Sequence, residues 1–188
     1  MKKVLSILLT LTIILLFPIN NTYAETTKDI IFIGDSRTVG MDKIVRFSDN
    51  ENFYKVAEVG KGYDWLVTEA LPKIDKIEAN SLDCTEVYLL GVNDLGNVDK
   101  YTEWFKARAV DHNIVVVSVN PVENYKSVSN YSISNFNAKI AESGVNYIDT
   151  NTTMQDIPYK KTTDGLHYNK KTYQYLYKIL LTSLCEYM

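Results

Sequence analysis

The sequence offers only two histidines, two cysteines and four prolines in 188 residues. Cys84 and Cys185 stand far apart and match no zinc-ligand spacing, so no metal is expected. A Gly-x-Gly-x-x-Gly fingerprint and a Gly-x-x-x-x-Gly-Lys loop are both missing, which leaves no motif for a dinucleotide or a nucleoside triphosphate and no cofactor to expect. No run of basic residues occurs, which argues against nucleic acid or an anionic membrane as partner. No Pro/Gly-rich break, repeat or low-complexity stretch divides the chain, and its length suits one domain.

What is present begins with a leader. Lys2 and Lys3 precede an apolar run from Val4 to Phe17, and a polar stretch ends in Thr22-Tyr23-Ala24 before Glu25. Positive, apolar, then small residues spaced two apart is the layout of a secretory signal peptide. The apolar run is shorter than the roughly 20 residues of a membrane span. We therefore expect residues 1–24 to be a signal peptide, 25–188 to be the domain, and the domain to be extracellular with no stable membrane association after cleavage; an uncleaved anchor is the competing reading. Without the leader the chain has 18 basic and 23 acidic residues, a net charge of −5.

Within 25–188, strand-like and helix-like segments alternate. Ile30–Ile33 is an apolar run ended by Gly34 and reads as a strand buried on both faces. Further strands are expected at Phe53–Val59, Glu86–Leu90, Ile114–Val119 and Val145–Ile148. Between them, Tyr63, Leu66, Val67, Ala70, Leu71, Ile74 and Ile77 recur at helical spacing, with Pro72 predicting a kink or two short helices. Helices are also expected over Val98–Val110, over Ile133–Ser143 (stopped by Gly144), and from an Asn169 N-cap onward, burying Tyr173, Leu176, Leu180 and Leu184. Five strands alternating with helices imply an α/β fold with a parallel sheet covered on both faces. In such sheets ligands bind outside the carboxyl ends of the strands.

Four short blocks follow strands. They are Gly34-Asp35-Ser36, Gly60, Gly91-Val92-Asn93-Asp94, and Asp164-Gly165-Leu166-His167 just before the last helix. A serine hydroxyl needs a base to take its proton, an imidazole needs a carboxylate to orient it, and a tetrahedral intermediate needs donors for its oxyanion. Ser36 suits the nucleophile, His167 the base and Asp164 the orienting acid; the Ser36 and Gly60 backbone N–H groups and the Asn93 amide suit the oxyanion hole. His112 precedes the fourth strand and so falls at the opposite edge, which leaves His167. The Gly-x-Ser-x-Gly elbow is absent because position 38 is Thr. Ser48-Asp49-Asn50 mimics a β-lactamase motif, but no Ser-x-x-Lys accompanies it. Asp35, Asp64 and Asp94, beside glycine turns, read as capping residues rather than metal ligands.

In order, the four blocks resemble the signature blocks of the SGNH (GDSL-type) hydrolases, small secreted bacterial type, over nearly all of the chain from residue 29. The resemblance implies a flavodoxin-like three-layer α/β/α sandwich with a five-stranded parallel sheet, and a catalytic set of Ser36, Gly60, Asn93, Asp164 and His167. It implies a secreted serine esterase that hydrolyses carboxylic esters, short acyl groups such as O-acetyl on carbohydrate, through an acyl-serine intermediate; its partner is then a small-molecule or glycan ester. A lipase-like esterase, an extracellular O-acetyltransferase and a non-catalytic glycan-binding module on the same fold are the alternatives. The family often has Leu after the serine, where this chain has Arg37, which is expected to approach substrate or to reach solvent. Tyr63 and Asn120 are further candidates for substrate contact, although helical spacing also suits Tyr63 to the core. Cys84 precedes the third strand and Cys185 ends the last helix, so both are expected at the edge away from the site, joined by a disulfide.

Overall fold

The structure, a computed structural model, describes residues 28–187; the expected signal peptide, 1–24, lies outside the described residues. Five parallel strands, β1 (Asp29–Gly34), β2 (Phe53–Ala57), β3 (Cys84–Leu89), β4 (Ile114–Val117) and β5 (Tyr147–Ile148), form one sheet in the order β2-β1-β3-β4-β5. This is the doubly wound flavodoxin-like order, which reverses direction between β1 and β3. The expected fold class stands.

The helices are α1 (Ser36–Val45), α2 (63–78), α3 (Val98–Arg108), α4 (Asn130–Glu142), α5 (Thr150–Gln155) and α6 (Lys170–Leu184). The pleat sorts strand residues between two cores. Ile31, Ile33, Tyr88 and Val116 face α2, α3 and α4 through Leu66, Ile74, Phe105, Phe136 and Ile140. Ile30, Phe32, Val87 and Val117 face α1, α5 and α6 through Met41, Met154, Leu176 and Leu180. Residues Ile30 to Ile33 have no exposed surface, as a strand with helices on both sides requires.

Pro72 does not break α2. The run passes from Tyr63–Trp65 through a π-helical segment, Leu66–Ala70, into Leu71–Glu78. The wider turn lies just ahead of the proline, whose missing N–H and ring do not fit a regular α-helical turn.

The expected disulfide is absent: Cys84 and Cys185 are free. The two do approach one edge, where the Asn113 side chain donates to Tyr187 O at 3.5 Å. The pleat, however, puts Cys84 on the face of Tyr88, among the residues that meet α2 and α3, whereas α6 packs on the other face. The Cys185 thiol instead donates to Leu181 O in its own helix, 3.4 Å away, and burial pushes the Cys84 thiol up to about 12.

Candidate active site

β1 ends at Gly34, and Asp35, extended at φ −100°, caps α1 by accepting from Arg37 N at 2.8 Å. Ser36 is thereby the first residue of a helix, where unpaired backbone N–H groups and the helix dipole favour negative charge. β3, the neighbour of β1, delivers Asn93 to the same edge.

His167 reaches this edge on the loop before α6. Asp164 Oδ1 accepts from Leu166 N at 2.9 Å and from His167 N at 2.7 Å. Gly165 has φ +93°, and a Cβ there would stand 2.6 Å from Glu123 O, so only glycine fits. Thr163 N donates to His167 O at 2.8 Å. With the loop so closed, His167 Nδ1 lies 2.7 Å from Asp164 Oδ2 and His167 Nε2 lies 2.9 Å from Ser36 Oγ. A carboxylate only accepts, so Nδ1 carries the proton and Nε2 is left to accept from the serine hydroxyl. Hydrogen bonds from the His167 ring and then its backbone hold the Asp164 carboxyl well below the usual carboxylate range, which keeps the acceptor ionised.

The other side of the site is built by two loops. Gly60 takes φ +76°, a conformation that favours glycine. Asn93 Nδ2 donates to Lys61 O at 2.8 Å. An amide has two N–H donors, so this bond fixes the Asn93 side chain and leaves a second N–H for a ligand. Asp94 braces the pair: it accepts from Tyr63 N at 2.7 Å, Asn97 Nδ2 at 3.1 Å and Tyr101 OH at 3.0 Å. The capping reading describes Asp35, which caps α1; Asp94 makes no cap bond in its own turn and instead accepts from Tyr63 N at the start of α2.

The three tentative substrate contacts are placed otherwise. Arg37 does not reach solvent; it is buried, and its guanidinium donates to three backbone carbonyls. Asn120 is also buried, accepting from Thr150 Oγ1 at 2.9 Å through its side chain and from Arg37 through its carbonyl. A guanidinium with five donors finds two of its partners among the carbonyls that follow β4 and the third, Leu166 O, on the histidine loop. Tyr63 is half-buried, its ring set edge-on to Tyr101 at 5.2 Å, so the core claims it as its spacing allowed. One brace escaped the sequence altogether. Glu123 accepts from Lys161 N and Thr162 N at 3.0 and 2.8 Å, and nothing near Glu123 in the sequence signals that contact.

Asp35 is almost fully buried, and that burial raises its carboxyl to about 6. A carboxyl raised in the folded state from 3.8 makes the protein less stable as pH rises between those two values, because the charged form is disfavoured there. Asp35→Asn keeps a good cap without the charge. Its stability relative to wild type should therefore climb from pH 4 to pH 7, by up to about 3 kcal/mol. Urea midpoints across that range check this; a flat difference refutes it.

No protein-family model and no curated protein matches the chain. Solved structures do. The C-terminal catalytic domain of peptidoglycan O-acetyltransferase A from Streptococcus pneumoniae matches with a TM-score of 0.64 and 18% identity, covering 85% of this chain and 94% of that one. A catalytic mutant of the acetylxylan esterase Axe2 from Geobacillus stearothermophilus matches with a TM-score of 0.62 and 11% identity, covering 84% and 94%. A lipase/acylhydrolase from Enterococcus faecalis matches with a TM-score of 0.56 and 12% identity, covering 84% and 95%. The chain has the SGNH hydrolase fold that such neighbours share.

Proposed function

We propose that this chain is a secreted serine esterase that removes short acyl groups, O-acetyl above all, from carbohydrate. The observation that carries the reading is the continuous line of hydrogen bonds from Ser36 Oγ through the His167 ring to Asp164, at 2.9 and 2.7 Å. In the proposed reaction Ser36 Oγ attacks the ester carbonyl and its proton passes to His167 Nε2. The oxyanion is held by the Ser36 and Gly60 N–H groups and the Asn93 amide. His167 then protonates the leaving alcohol, acyl-Ser36 remains, and water activated by the same imidazole releases the acid.

The substrate class is supported by a groove that begins at Asn93. Its lining mixes Ser127, Ser132, Asn135 and Lys139 with Val92, Leu95 and Phe136. A sugar presents hydroxyls and apolar ring faces together and suits such a lining. A fatty chain would cover the polar side chains of this lining without satisfying them, which speaks against the lipase-like alternative. The acetylxylan esterase among the structural neighbours supports the same class. The O-acetyltransferase neighbour favours a second reading, in which a sugar hydroxyl replaces water as acyl acceptor. The Ser36–His167 hydrogen bond argues against a module that only binds glycans, since binding does not require it.

Purified 25–188 should hydrolyse p-nitrophenyl acetate faster than the octanoate ester, release acetate from acetylated xylan, and take up a sulfonyl group from a sulfonyl fluoride at Ser36 alone, by peptide mass. Absence of turnover, or an adduct elsewhere, refutes the esterase reading; faster octanoate cleavage refutes the short-acyl reading. Adding a soluble glycan acceptor decides between hydrolysis and transfer. The full chain should appear in the culture medium without residues 1–24, and retention with the cells would contradict export. Asn93→Ala should lower kcat by about 10²–10³-fold with KM little changed, since it removes one oxyanion donor; kinetics with p-nitrophenyl acetate measure it.

A further inference from the structure

We infer that Arg37 is a positioning residue: it locks the histidine loop against the serine turn and so sets the reach of His167 to Ser36. The inference rests on the esterase reading for its kinetic consequence, but its geometry stands apart from it. Arg37 follows Ser36 directly, and its side chain crosses to two other loops of the site edge. Its Nε donates to Leu166 O at 3.1 Å, its Nη1 to Asn120 O at 2.7 Å and its Nη2 to Pro121 O at 3.2 Å. The Tyr168 ring lies under the guanidinium, 4.7 Å from its carbon to the ring centroid, and Tyr168 OH donates to the same Pro121 carbonyl at 2.8 Å.

His167 is thus held on both sides. The carbonyl before it accepts from Arg37, and the side chain after it stacks on Arg37. The serine and the arginine share one peptide unit at the start of α1, so the bond from Arg37 to Leu166 O ties the turn that carries the nucleophile to the loop that carries the base. Among the described residues, the only other hydrogen bond between the first turn of α1 and the 164–168 loop is the Ser36–His167 bond itself. A lysine in this place would bring charge, but not a planar fork able to serve three carbonyls at once. A reacting pair displaced by about 1 Å can lose about 10²-fold in rate.

The test compares Arg37→Ala and Arg37→Lys with wild type in residues 25–188. Two measurements are made: p-nitrophenyl acetate kinetics, and proton NMR of the protein labelled with ¹⁵N-histidine, where two histidines give two ring systems. We expect kcat to fall about 10²-fold in Arg37→Ala and about 10-fold in Arg37→Lys, with KM within about twofold. Added guanidinium at non-denaturing concentration should restore part of the Arg37→Ala rate. The Nδ1 proton of His167 should broaden or shift while the His112 signals stay in place, a selectivity that general loosening would not give. Wild-type kcat in folded Arg37→Ala overturns the inference; if that variant does not fold, wild-type kcat in Arg37→Lys overturns it. If wild type itself hydrolyses no ester, the esterase reading fails, and an unmoved His167 proton in the variants overturns the inference separately.

Discussion

Asp164→Asn is expected to lower kcat by about 10⁴-fold with little change in KM, the size seen when the acid of a serine–histidine–aspartate set becomes an amide. The reason is which end of the amide faces the histidine. Asp164 Oδ1 accepts two backbone N–H groups, from Leu166 and His167, while Oδ2 faces His167 Nδ1. An asparagine must keep its oxygen on the two backbone donors, which turns its NH₂ toward Nδ1. Nδ1 then has to accept, the ring proton moves to Nε2, and Nε2 can no longer take the proton of Ser36. The loop stays closed, so substrate still binds. Asp164→Ala, by contrast, also opens the loop, because both backbone donors lose their acceptor. Steady-state kinetics of the asparagine variant on p-nitrophenyl acetate, with its fold checked by circular dichroism, decide the matter. A loss below about tenfold would mean that Asp164 closes the loop without setting the tautomer.

The residues behind that prediction were legible because each block is local. Gly34-Asp35-Ser36 and Asp164-Gly165-Leu166-His167 each fold on themselves through Asp35 and Asp164, so a few adjacent letters carry the geometry. The sheet was legible for a similar reason: a strand as apolar as Ile30–Ile33 has few alternatives to burial on both faces. What escaped depends on distant partners. Arg37 is bonded to carbonyls 83, 84 and 129 positions away, and nothing near it in the chain names them. α5, Thr150–Gln155, is rich in Thr and Asn, poor helix formers. It is held by its Asp149 cap and by Asn151, whose side chain donates to Val119 O at 2.8 Å. β5 is an edge strand of two residues, Tyr147–Ile148, shorter than its apolar pattern suggested. The cysteine pair shows the difference between an edge and a face. Topology alone brings both thiols to one edge, but Cys84 shares its face of β3 with Glu86 and Tyr88 and so points away from α6.

That same alternation buries a carboxylate, and removing its partner should cost the most stability of any change away from the site. Glu86 has no exposed surface. Arg108, at the end of α3, donates to it from Nε at 3.1 Å and from Nη2 at 2.6 Å, and Tyr88 OH donates to it as well. The same guanidinium reaches Asp75 at 2.7 Å and Glu78 at 3.0 Å, and His112 Nδ1 stands 3.0 Å from Glu78. One cation therefore serves three carboxylates, and burial together with Glu86 already raises the Glu78 carboxyl. Arg108→Leu leaves Glu86 buried without its guanidinium, with only the His112 ring 3.7 Å away, a defect that costs about 3–5 kcal/mol and, for a domain of this size, roughly 6–20 °C in Tm. Adding Glu86→Gln to Arg108→Leu removes the stranded charge, so the double variant should recover at least half of the loss. Strict additivity of the two changes would show instead that the ion pair contributes nothing beyond packing. Because this cluster lies at the opposite edge of the sheet from Ser36, kcat of Arg108→Leu at a temperature where it is folded should equal that of wild type. Thermal unfolding by circular dichroism and one kinetic assay on each variant therefore separate the two ends of the molecule: the end where Arg37 positions and Asp164 orients, and the end where Arg108 neutralises.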